Sequence, residues 1–188
     1  MVEKQLPQLS MLEADNLYEN LVVGDAFYGF LAALRGRIFS SDQFVDLYRS
    51  DRERPGAPPS LLATALLLQC HDLVPDERAR DLANYDLRWK YPLGIRLDDQ
   101  PFNINELLSF RRQIVRLSEI RARFQPSLDF ALEQAQPKIQ SIKTVHRHTS
   151  ALLDQATIKG MYDRLGHDIA MMIDMLEQGM WFAKVDQH

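Results

Sequence analysis

The sequence predicts an all-α protein, a compact helical bundle with a helix-turn-helix-like centre. Three observations predict it. Apolar residues recur at helical spacing from Phe27 to Met180, without long alternating runs of the kind a half-buried strand needs. Nine prolines and eight glycines among 188 residues punctuate those periodic stretches. Apolar residues make up 46% of the chain, a composition that builds a core and excludes a disordered segment.

Met1–Ser10 reads as a loose leader, and Leu12–Tyr18 carries no clear element. Asp25–Arg37 places Phe27, Phe30, Leu31 and Leu34 on one helical face, with Asp25 as N-cap and Gly36 as stop. Ser40 or Ser41 caps a second helix over Asp42–Tyr48. Three prolines and a glycine break the chain between Asp51 and Pro59. Pro58, Pro59 and Ser60 then open a helix, because proline at the first turn loses no bond. Leu61–His71 is apolar nearly all round, so it belongs in the middle of the core. Pro75 and Asp76 start the next helix, Glu77–Asn84, with acids where the helix dipole favours them. Pro92–Gly94 and the pair Asp98–Asp99 form the following connection.

Asn103 or Asn105 caps a third central helix reaching Phe124, and Asn103 with Glu106 has capping-box spacing. At 100° per residue, Asn105, Ser109, Arg112, Arg116 and Arg123 share one face. Leu107, Phe110, Ile114 and Leu117 share another, and Glu119 sits at the rim of the arginine face. Pro126 interrupts before Leu128–Ala135. Lys138–Val145 is short enough to be extended. Ser150–Phe182 forms one or two helices, broken near Gly160 and Gly166.

Charge and cysteine usage bound the function. The net charge is −4, from 26 acidic against 22 basic residues, so nucleic-acid binding needs a local patch rather than a basic surface overall. A single cysteine, Cys70, makes no internal disulfide; it reads as a buried, inert thiol in a reducing compartment. No apolar run approaches the roughly 20 residues that span a bilayer, and the N-terminus has no signal core, so a cytoplasmic location is expected.

The stretch Arg54–Phe124 resembles the N-terminal helical domain of bacterial DDE-type insertion-sequence transposases. RPGAPPSLL, an apolar helix ending LLLQ, an Asp-Glu-Arg-Ala helix start, YDLRWKYPLGIRLDD and LLSFRRQIV follow one another in the family's order. The resemblance implies a helical region that engages the transposon end or supports assembly, ahead of a catalytic ribonuclease-H-like domain. The first metal-binding aspartate of that domain aligns with Lys143 within Gln140–Thr144, and lysine donates no carboxylate oxygen to Mg²⁺. The expectation is a truncated, non-catalytic relative: residues 1–125 form the transposase-like domain and residues 126–188 a divergent helical segment packed on it.

On this reading Arg112, Arg116 and Arg123 meet phosphates of double-stranded DNA, and Asn105 and Ser109 lie nearer base edges. The bland alternative is a solvated helix face. Arg88, Trp89 and Lys90 offer a second basic spot, with Trp89 favouring the core. A different class of function recruits the scaffold to bind or convert a small apolar molecule, with Asp163, His167 and Asp168 as an acid–histidine group. An ordinary polar face is the simpler reading of those three. His146 and His148 would share one side of a strand, but no ligand spacing supports a metal, and no cofactor is expected. His71, which follows an apolar helix, reads as a capped or surface histidine. Met161, Met171, Met172, Met175 and Met180, with Trp181 and Phe182, suggest helix core and a homodimer face.

Overall fold

A computed structural model describes residues 26–48, 56–117, 119–135, 155–179 and 181. Among these residues all regular structure is helical. The order is α1 (Ala26–Ala33), a 3₁₀ helix (Ser41–Leu47), α2 (Pro59–Asp72), α3 (Asp76–Tyr85), α4 (Leu87–Leu93), α5 (Ile104–Arg116), α6 (Ile120–Ala135) and α7 (Gln155–Glu177).

Helix α2 sits in the middle, as its nearly uniform apolarity requires. Leu62, Leu66, Leu67 and Leu68 are fully buried, and α2 touches α3, α4, α5, α7 and the 3₁₀ helix. Its N-cap is Pro58 with Pro59 at the first turn. Leu73 then takes a left-handed conformation, φ 55°, and a three-residue turn through Val74 and Pro75 leads into α3. Asp86 caps α4 by accepting the Arg88 N–H at 2.9 Å.

Four expectations of the sequence are corrected. The helix through Phe124 is two helices: α5 ends at Arg116, with Leu117 as its C-cap, and α6 begins at Ile120. Pro126 does not end a helix but lies inside α6, where the bond its missing N–H would have made to the Ala122 carbonyl is forfeited. Gly160 and Gly166 do not break α7, which runs 23 residues without a stop. Gly166 instead faces α6: a Cβ there would meet Leu132 Cδ2 at 3.6 Å and Ala131 Cβ at 3.8 Å. The small residue lets two long helices pack closely along their length. In place of the α-helix expected over Asp42–Tyr48, a 3₁₀ helix spans Ser41–Leu47 with Tyr48 as its C-cap, and the Ser40 N–H donates to Gln43 Oε1 at 2.8 Å. Asp25, Lys138–Val145, His146, His148, Met180 and Phe182 lie outside the described residues.

Buried apolar side chains from Phe27 to Leu176 form one contiguous cluster. Met161 and Met172 belong to it, and Met171, Met175 and Trp181 pack on its edge. Those methionines therefore chiefly fill the chain's own core.

Candidate nucleic-acid interface

Helix α5 is fixed at its start by the capping box the sequence predicts. Asn103 Oδ1 accepts the Glu106 N–H at 3.0 Å, and Glu106 Oε2 accepts the Asn103 N–H at 2.8 Å. The other Glu106 oxygen accepts the Gly56 N–H at 2.7 Å and so ties α5 to the loop ahead of α2. A Cβ at Gly56 would sit 2.8 Å from that oxygen, so a larger residue there would push the carboxylate aside. Leu107, Phe110 and Ile114 are buried completely. That fixes the rotation of α5 and turns Asn105, Arg112 and Arg116 to solvent, with Ser109 half-buried.

The arginines around this face have different fates. Arg111 forms a two-pronged pair with Asp76, Nη1–Oδ1 2.8 Å and Nη2–Oδ2 2.7 Å, with both side chains mostly buried. Gln69 Nε2 donates to the same carboxylate at 3.0 Å. Burial by itself would raise the Asp76 pKa, but the Arg111 and Gln69 hydrogen bonds and the Arg111 charge outweigh it and hold the group below the ordinary range. Arg121 reaches Glu177 at 2.8 Å and Asp174 at 3.2 Å. Arg112 and Arg116 make no ion pair and no side-chain hydrogen bond among the described residues, and both are exposed. Glu119 is exposed too and does not pair with Arg116, because the helix has ended between them.

Arg123 departs from the expected face. It lies on α6, its side chain is 6% exposed, and its guanidinium clasps Asp46 at 2.6 and 2.8 Å while donating to the Gln43 carbonyl. That hydrogen bonding pulls the Asp46 pKa down. The break after Arg116 is the cause: a continuous helix would have carried Arg123 round with Arg116.

The second basic spot is not a free patch either. Arg88 holds its own N-cap, Asp86, through Nε at 3.1 Å and Nη2 at 2.6 Å. Its guanidinium also lies over the Tyr28 ring at 5.8 Å. Lys90 is 2% exposed and donates to the carbonyls of Asp99 at 2.7 Å and Arg96 at 3.1 Å. Burial pushes its pKa down, against the pull of Asp99 and Asp98. Trp89 is fully buried, and its indole N–H donates to Asp72 Oδ2 at 2.5 Å. Tyr28 donates to the other oxygen of Asp72.

Asp163, His167 and Asp168 do not converge. Asp163 is exposed and pairs with Lys159 at 2.7 Å, and His167 is exposed. Asp168 is 2% exposed and faces inward to His71 Nδ1 at 2.8 Å, with Arg164 at 3.7 Å. His71 is thus no surface residue: its ring stacks on Phe27 at 4.2 Å. Sequence reading missed this pair because 97 positions separate its members. Cys70 is buried, and burial followed by the nearby Asp168 charge pushes its thiol up to about 12, the inert state expected.

A groove of about 370 Å³ opens between α5 and the end of α7. Arg112, Val115 and Arg116 form one wall, and Met175, Leu176 and Trp181 the other. Arg111 lies over the Trp181 ring at 4.6 Å and braces it.

Among the described residues no group of three or more His, Cys, Asp and Glu side chains is arranged to hold a metal ion, and no helix is long and apolar enough to cross a membrane. The family model described as Transposase domain (DUF772) matches residues 18–113, just over half of the chain. The match ends within α5 and takes in Asn105, Ser109 and Arg112. No curated protein and no solved structure matches.

Proposed function

Because the chain belongs to the transposase-domain family DUF772, we propose that it binds double-stranded DNA through the exposed face of α5, without catalysing strand transfer, as a regulator or inhibitor of transposition. Arg112 and Arg116 meet consecutive phosphates, and Asn105 and Ser109 lie nearer the base edges. Arg123 is left to the scaffold.

One observation carries this reading. Of the five arginines between Arg111 and Arg123, three are held by carboxylates, and only Arg112 and Arg116 are exposed without such a partner among the described residues. An unpaired guanidinium gives up no internal bond on meeting a phosphate. The acidic total does not oppose this, because screening confines distant charges to about 10 Å at 0.1 M salt. Binding rather than strand transfer follows from Lys143 at the aspartate position of the resembled motif.

Fluorescence anisotropy on a labelled duplex tests the proposal. Affinity should fall steeply as salt rises from about 50 to 200 mM, with a log–log slope near −2 for two neutralised phosphates. Absence of salt-sensitive binding to any duplex overturns it.

A further inference from the structure

We infer that the groove between α5 and the end of α7 receives an unpaired base next to the phosphates held by Arg112 and Arg116, so that the preferred DNA is a duplex with a single-stranded or frayed end. The inference rests on the proposed duplex-binding face, because the same two arginines belong to both.

The chemistry of the groove selects this occupant. Its lining combines the apolar side chains of Val115, Met175, Leu176 and Trp181 with the exposed Arg112 and Arg116, and Arg111 lies over the Trp181 ring. The outside of a paired duplex offers phosphates and groove edges but no free ring face. A duplex seated on Arg112 and Arg116 would therefore leave the groove unfilled. An unpaired base offers a flat apolar ring within one sugar of a phosphate, and that combination matches a lining of apolar side chains beside two exposed arginines. The volume, about 370 Å³, lies at the small end of ligand pockets, typically about 300–1,000 Å³. Trp181 enters this arrangement already braced by Arg111, itself locked to Asp76. Little side-chain freedom remains to be lost when a base stacks there.

Two tryptophans make the test direct. Trp89 is fully buried and hydrogen-bonded to Asp72, so a change in emission on binding reports on Trp181. The full chain is titrated with a blunt duplex, with the same duplex carrying a five-nucleotide single-stranded tail, and with the tail strand alone. The tailed duplex should bind about tenfold tighter than the blunt one for one stacked base. It should quench Trp181, and the blunt duplex should not. Trp181→Ala should erase the difference between the two probes, and Trp181→Phe should keep most of it.

Equal affinity for tailed and blunt duplexes, or no quenching by the tail, overturns the groove assignment and leaves the duplex face standing. Binding of the tail strand without either duplex overturns the duplex face and, with it, the preference for a tailed duplex. Failure of all three probes overturns both.

Discussion

Two stretches of this chain read alike as basic and are put to opposite uses. The segment Tyr85–Asp99 carries Arg88, Lys90 and Arg96, and α5 carries Arg111, Arg112 and Arg116. In the first, every cation is engaged: Arg88 by Asp86, Arg96 by Asp98 at 3.2 Å, and Lys90 by two carbonyls. In the second, Arg111 alone is engaged. Local chemistry separates them. Arg88 and Arg96 each have a carboxylate two residues away, whereas between Glu106 and Glu119 the sequence has no acid at all. A cation's availability is set by the carboxylates its backbone can bring within reach, more than by the count of cations. The segment that looks most like a family signature is thus a folding device, and the plainer helix is the free surface.

Substitutions in the folding segment should give the largest effects. Trp89→Ala removes a fully buried ring and leaves Asp72 with one of its two donors, for a cost of about 3–5 kcal/mol. In thermal unfolding followed by circular dichroism, Tm should drop by about 6–20 °C, at about 2–4 °C per kcal/mol for this chain length. A drop of only a few degrees would break the contrast at its strongest point.

Gly94→Ala should come next. Gly94 closes α4 at φ 69°, and a Cβ there would lie 2.6 Å from Arg35 Nε. That Nε donates to the Pro92 carbonyl at 3.2 Å, while the same guanidinium donates to the Tyr91 carbonyl. Strain and the displaced arginine together should cost about 3 kcal/mol, measured by urea unfolding with an unchanged m-value.

The helix starts were legible in the sequence because their causes are local. Asn103 with Glu106, Pro59 at a first turn and Pro75 before acids each act within four residues. The break after Arg116 was not, since neither proline nor glycine marks it; Ser118, a helix-capping residue type, was the available sign. Gly166 misled for the opposite reason: its cause is the neighbouring α6, which no local pattern reveals. The site divides the same way. Helical projection placed Asn105, Arg112 and Arg116 on the face of α5 that is exposed, with Ser109 half-buried beside them. The pairs that decide which arginines are free, Arg111–Asp76 and Arg123–Asp46, span 35 and 77 positions.

Asp76→Asn probes the boundary between the two uses, since Asp76 is what removes Arg111 from the surface set. Loss of a mostly buried, charge-assisted pair should cost about 2 kcal/mol at pH 7. The folded pKa of Asp76 lies below the ordinary value of 3.8, so the charged carboxylate's contribution is complete above about pH 5 and fades as pH falls through the folded value. The Tm gap between wild type and variant should stay constant from pH 7 to about 5 and narrow below about 4. A gap that widened in acid would show that this carboxylate is not stabilised by folding.

The smallest effect on folding should accompany the largest on the proposed partner. Arg112→Ala with Arg116→Ala removes two exposed side chains that touch no carboxylate, so stability should change by less than about 0.5 kcal/mol. The salt slope of duplex binding should nevertheless flatten by about 2, one unit per lost phosphate contact. The paired arginine supplies the control. Arg123→Ala strips a clasped guanidinium from the Asp46–Gln43 contact, so it should lower Tm while leaving the slope unchanged. If the double variant binds like wild type and Arg123→Ala does not, the free cation and the spent one have been assigned the wrong way round. The rule that nearby carboxylates decide availability would then fail on the helix where it makes its sharpest statement.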